Sequence, residues 1–121
     1  GETYKSLGIF LRLYFKQIKE TYIKYWPTDN SPKNSSILIK TTGMGAFIRL
    51  INDVYPNVNP NHNKSKDDLK IELEKVFNKI KDNGNIYFDK DSAFVQGAGQ
   101  GLQAKLYKKL AFDLGYRQTP D

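Results

Sequence analysis

From Lys5 to Trp26 the apolar residues Leu7, Phe10, Leu11, Tyr14, Ile18, Tyr22 and Tyr25 recur at three- and four-residue intervals. That period fits a helix of about 3.6 residues per turn and not the two-residue pleat of a strand, so it predicts a long amphipathic helix with one face in a core. Arg12, Lys16, Lys19 and Lys24 fall largely off the apolar stripe. Pro27 has no N–H to donate and ends the helix, and the turn formers of residues 26–34 read as an exposed loop.

Three further segments repeat the pattern. Ile37 to Tyr55, capped by Ser35 or Ser36, places Ile37, Leu38, Thr41, Met44, Ile48, Ile51, Val54 and Tyr55 on a helical face. Gly43 and Gly45 interrupt it, at about 1 kcal/mol each relative to Ala, so either another backbone approaches closely or Gly45 to Tyr55 is a helix of its own. Pro56 and the Asn-rich residues 57–63 read as a linker. Ser65 then stands three residues before Asp68, the spacing of a capping box, and Leu69, Leu73, Val76, Phe77 and Ile80 continue as a third stripe expected to stop at Asn83-Gly84. Residues 85–95 hold two short β-prone runs around Asp89-Lys90-Asp91, open between a small hairpin and an extended loop. Leu102, Leu106, Tyr107, Leu110, Ala111 and Leu114 form a last stripe, opened by Gly97, Gly99 and Gly101 and closed by Gly115. The predicted fold is mainly α: an irregular bundle of about four helices in a single domain spanning residues 1–121, with a short hairpin at 85–95 as an option.

Composition removes whole classes of chemistry. There is no Cys, which excludes disulfides, thiolate metal sites and thiol catalysis, and the single His62 leaves no material for multi-His metal sites. Apolar runs stop after three residues, far short of the roughly 20 that cross a bilayer, so no membrane span is expected. With no secretion signal and no Cys, the reading is cytoplasmic. The leading Gly in place of Met reads as the start of an excised C-terminal fragment of a longer protein.

The formal net charge of +6 is unevenly spread: residues 1–26 hold five cations and two anions, and residues 96–117 four cations against Asp113. Lys105, Lys108, Lys109 and Arg117, with Lys16 and Lys19, are therefore the candidates for nucleic-acid phosphates, against the plainer reading of a solvated helix face. The Gly97-x-Gly99-x-Gly101 run before a helix is a candidate anion loop, although Leu102 stands where a dinucleotide fingerprint needs its third Gly. Asp89 and Asp91 read as a turn rather than a cation site, His62 as an exposed loop residue, and no serine or threonine has an evident base. No catalytic residue, metal or cofactor is expected.

The stretches Ser36-Ile37-Leu38-Ile39-Lys40-Thr41-Thr42-Gly43-Met44-Gly45-Ala46-Phe47-Ile48-Arg49-Leu50 and Gly97-Ala98-Gly99-Gln100-Gly101-Leu102-Gln103-Ala104-Lys105-Leu106-Tyr107 together resemble the C-terminal region of DGQHR-domain proteins. This bacterial group includes regulators of the DNA phosphorothioation gene cluster. The resemblance spans about Tyr4 to Tyr116 and marks Lys40, Thr41, Thr42 and Gly43, besides the three loop glycines, without assigning them a role. The naming Asp-Gly-Gln-His-Arg motif, which belongs to an N-terminal domain similar to the ParB and sulfiredoxin fold, does not occur here. The resemblance thus implies a helical partner of that domain and carries over none of its chemistry. The leading expectation is a non-enzymatic, DNA-associated regulatory module. The alternative is an interaction domain that docks an N-terminal domain of its own protein or a second copy of itself, without nucleic acid. A third reading makes the Gly97–Gly101 turn an anion site of a ligand-binding piece.

Overall fold

The computed structural model describes residues 2–28 and 36–121; the Ser35 cap candidate and loop residues 29–34 lie outside them. Six α-helices follow one another among the described residues: α1 Glu2–Thr21, α2 Thr41–Val58, α3 Lys66–Asn78, α4 Gly84–Phe88, α5 Ala93–Ala98 and α6 Leu102–Asp113, with 3₁₀ turns at Ile23–Tyr25 and Lys81–Asn83. The mainly helical reading therefore holds, as an irregular bundle in which α1 lies on α3 and α2 on α6. Aromatic side chains join the two pairs. Phe77 of α3 meets Tyr14 of α1 with ring centroids 5.7 Å apart and Phe47 of α2 at 6.3 Å, and Phe88 of α4 meets Tyr22 at 4.8 Å and Phe47 at 5.8 Å. Tyr14 and Tyr22 are buried whole, which is tolerable because each hydroxyl has a backbone acceptor, Phe47 O at 2.6 Å and Ile80 O at 2.9 Å.

The α1 stripe packs as its spacing predicts, with Phe10, Tyr14, Ile18 and Tyr22 buried. Ser65 caps α3 by accepting from the Asp68 N–H at 3.1 Å. At the end of α6, Tyr116 N–H reaches Ala111 O at 2.7 Å and Gly115 N–H reaches Phe112 O at 3.0 Å, the paired bonds of a Schellman cap around the left-handed Gly115.

Several boundaries differ from the sequence reading. Residues 85–95 form neither a hairpin nor an extended loop. Gly84, Tyr87 and Phe88 are buried at helical spacing, and two consecutive buried aromatics cannot sit on one face of a strand. Asp89 Oδ1 accepts from Asp91 N–H at 2.9 Å, making the turn, and Ser92 Oγ caps α5 by accepting from Val95 N–H at 3.1 Å. The third helix stops at Asn78 rather than at Asn83-Gly84. Gly84 instead opens α4, at a point where a Cβ would come within 2.5 Å of the Tyr25 ring. Pro56 is inside α2, not in a linker; it and Asn52, whose carbonyl it leaves without a helical donor, are both exposed, so water can serve that carbonyl.

The second segment becomes helical only at Thr41. Ile37 and Leu38 are buried but lie in a turn held by Ile37 N–H to Phe88 O at 2.8 Å, beside an isolated antiparallel bridge between Ser36 and Asp89. Ser36 Oγ accepts from Leu38 N–H within that turn and does not cap α2, whose N-cap is Lys40. Gly43 is the reason the turn can lie so close: an added Cβ would fall on the Ile37 and Leu38 carbonyl oxygens, and 2.8 Å from the Leu38 carbonyl carbon. The expected close backbone approach is thus at Gly43, whereas Gly45 gives room to the Gln103 side chain of α6.

Candidate nucleic-acid interface

The candidate cations lie on α1 and on α6 with the segment that follows it, and the two helices have different packing partners. On α6, two of the three lysines are engaged within the fold. Lys109 pairs with Asp113 at 3.1 Å, both side chains largely covered, and Lys105 donates to the Ala98 carbonyl. Ala98 is the last residue of α5, so Lys105 faces the carbonyl end of a short helix, where a cation is favoured. Gly97 is inside α5, while Gly99 and Gly101 adopt positive φ of 58° and 81° with open space around their Cβ positions. Those two glycines serve a left-handed backbone path and not a tight contact. The last residue of α5 thus presents its carbonyl to Lys105, the nearest lysine.

Lys108 is half-buried beside Phe94 and Pro120, at a cleft of about 300 Å³ that Lys105 and Asp121 also line. Arg117 donates to Asp121 O at 2.9 Å and keeps a buried Nε without a partner among the described residues. Lys40, Thr41, Thr42 and Gly43 form the start of α2, with Lys40 and Thr41 exposed and Gly43 buried.

On α1 the arrangement is different. Lys5, Arg12, Lys16 and Lys19 are all exposed, and their spacings of seven, four and three residues place them within an arc of about 60° on the helix. The row is about 21 Å long at 1.5 Å per residue. Among the described residues none of these four makes an ion pair; the only pairs there are Lys75–Glu72 and Lys109–Asp113. Lys19 lies 5.3 Å from the Trp26 ring and Lys24 5.7 Å from that of Tyr25, so two aromatics flank the C-terminal end of the row. Sequence reasoning singled out Lys16 and Lys19 but left Lys5 and Arg12 out of the candidates. The signal was available, since positions 5, 12, 16 and 19 share one face under the same periodicity that found the core.

A second cluster that sequence reasoning missed joins α2 to α6. Tyr107 donates to Asp53 Oδ2 at 2.6 Å, and the Arg49 guanidinium sits 4.8 Å above its ring. The bond to Asp53, helped by desolvation, raises the Tyr107 pKa, with Arg117 and Arg49 pulling the other way. These residues are 54 positions apart in the chain, so only the fold unites them. Among the described residues no three His, Asp or Glu side chains gather as a metal site, and no helix is long and apolar enough to cross a membrane.

Compared with protein-family models, curated proteins and solved structures, the chain finds no match.

Proposed function

We propose that this chain is a non-enzymatic, nucleic-acid-associated regulatory module of the cytoplasm, of the kind the resemblance to the C-terminal region of DGQHR-domain proteins implies. It contacts phosphates chiefly through α1. The observation that supports this is the row Lys5, Arg12, Lys16 and Lys19, exposed together and free of ion pairs among the described residues. A line of unneutralised cations on a rigid helix matches the closely spaced charges of a duplex and gains from the counterions it releases. Lys108 on α6 and Arg117 beyond its C-terminal cap are secondary contacts; Lys105 and Lys109 contribute less, because internal acceptors already hold them.

Fluorescence anisotropy on a random duplex at low salt tests the reading. Lys16→Glu with Lys19→Glu is expected to weaken binding at least about tenfold, while Lys70→Glu with Lys75→Glu on α3 leaves it nearly unchanged. Absence of binding, or equal losses from both pairs, overturns it.

A second reading is favoured by the exposed apolar side chains Tyr4 of α1, at 80%, and Ile48 of α2, at 55%. It makes the chain a docking domain for a folded partner or a second copy. Sedimentation showing a monomer that gains no partner at high concentration contradicts the self-associating form.

A further inference from the structure

The linker between α2 and α3 is built around buried polar groups. Asn59 is fully buried; its side-chain carbonyl accepts from Lys64 N–H at 3.1 Å and its amide donates to Ser6 Oγ at 2.7 Å. His62 has a positive φ of 58°, which a residue with a Cβ adopts only at some cost, and its Nδ1 is hydrogen-bonded to the Tyr55 hydroxyl at 2.8 Å. These bonds hold the loop against the first turns of α1. The result is an open pocket of about 130 Å³ lined by Lys5, Ser6 and Ile9 from α1 and by His62, Asn63 and Lys64 from the loop.

Every polar side chain in that lining can donate a hydrogen bond, and none is a carboxylate. Ser6 is 8% exposed; its hydroxyl oxygen accepts from the Asn59 amide at 2.7 Å and lies 3.5 Å from the Tyr55 hydroxyl. Two ammonium groups with hydroxyl, amide and imidazole donors, arriving from two elements, suit a dianion with three free oxygens better than a planar carboxylate. On its other side His62 borders an apolar cleft of about 440 Å³, walled by Leu7, Ile51, Tyr55, Pro56 and Pro60.

We propose that the Lys5–Ser6–Lys64 pocket binds the phosphoryl group of a small phosphomonoester whose flat organic part lies in the cleft beyond His62. A nucleoside monophosphate or the 5′-phosphorylated end of a nucleic-acid strand supplies that chemistry. The site goes beyond the duplex surface of α1 and stands without it, although Lys5 belongs to both.

The test is amide NMR of the whole chain at constant ionic strength, titrated with inorganic phosphate, adenosine and adenosine 5′-monophosphate, and with oligonucleotides bearing a 5′-phosphate or a 5′-hydroxyl. Phosphate is expected to shift Lys5, Ser6 and residues 62–64, and the monophosphate to bind at least about tenfold more tightly than phosphate. Lys5→Ala and Lys64→Ala are each expected to weaken the monophosphate about fivefold or more, with Lys16→Ala unchanged and circular dichroism confirming that all three fold. Preference for the phosphorylated oligonucleotide over the free monophosphate assigns the site to strand ends, and the reverse assigns it to a nucleotide. No shift at millimolar phosphate, shifts spread evenly over the α1 and α6 cations, or a monophosphate no tighter than phosphate overturns the proposal. Lys16→Glu with Lys19→Glu weakens duplex binding and leaves monophosphate binding unchanged if both readings hold, so either can fail while the other survives.

Discussion

Replacing Gly43 with alanine isolates the contact that seats α2. In an open helix the exchange stabilises by about 1 kcal/mol, since alanine orders less backbone freedom. At Gly43 the new Cβ meets backbone. It would sit 2.8 Å from the Leu38 carbonyl carbon and closer still to the Ile37 and Leu38 oxygens. The segment cannot easily withdraw, because Leu38 is fully buried and Ile37 N–H is bonded to Phe88 O at 2.8 Å. Overpacking of this kind costs about 1–3 kcal/mol, and contact with pinned main chain belongs at or above the top of that range. After subtracting the helical gain, the expected net loss is about 2 kcal/mol, or a fall in Tm of roughly 8 °C for a chain of this size. Gly8 supplies the internal standard: it is exposed within α1 with nothing near its Cβ position, so Gly8→Ala is expected to raise stability by about 1 kcal/mol. Urea unfolding of both variants at one pH reads the two signs directly. A Gly43→Ala protein as stable as Gly8→Ala would refute the claim that the Ile37–Leu38 turn lies against α2.

Two further outcomes follow from the core and the caps. Burial raises the pKa of Tyr14, Tyr22 and Tyr87 well above the usual tyrosine value. Because the folded state holds these protons longer than the unfolded chain, their stabilisation is full below about pH 10 and is lost as pH climbs toward the folded values, by at most about 1.4 kcal/mol per pH unit for each ring. Thermal unfolding between neutral and alkaline pH should show this decline, and the decline should be shallower in Tyr22→Phe; an unchanged slope contradicts the assignment. Ser65→Ala removes the α3 cap and is expected to cost about 1 kcal/mol by chemical unfolding, whereas no change would mean that Asp68 N–H finds water as readily.

What the sequence discloses depends on whether a residue's environment is local. The α1 core face was legible because one period ran through it without interruption, and the Ser65 cap because its spacing is itself the motif. The start of α2 was not legible, since Ile37 and Leu38 are buried in a turn and apolar periodicity does not separate a buried turn from a helix. Residues 84–88 carry a β-prone composition, yet packing against Tyr22 and Phe47 makes a single helical turn the way to bury Tyr87 and Phe88 together. Pro56 reads as a linker residue in sequence because its exposure, which makes it tolerable inside α2, is a property of the fold. The same division holds at the candidate sites. Four cations on one face of α1 follow from spacing alone, but Lys5 and Lys64 meet only after the linker folds back onto α1.

The salt dependence of duplex binding tests the central claim, that the α1 row neutralises nucleic-acid phosphates. Four contacts from Lys5, Arg12, Lys16 and Lys19 give a slope of log K against log salt near −3.6, at about −0.9 for each phosphate neutralised. Lys16→Gln with Lys19→Gln should reduce that slope in magnitude by about 1.8, and Lys105→Gln with Lys109→Gln should change it little. A slope insensitive to the α1 pair, or one lowered by the α6 pair instead, would contradict the account.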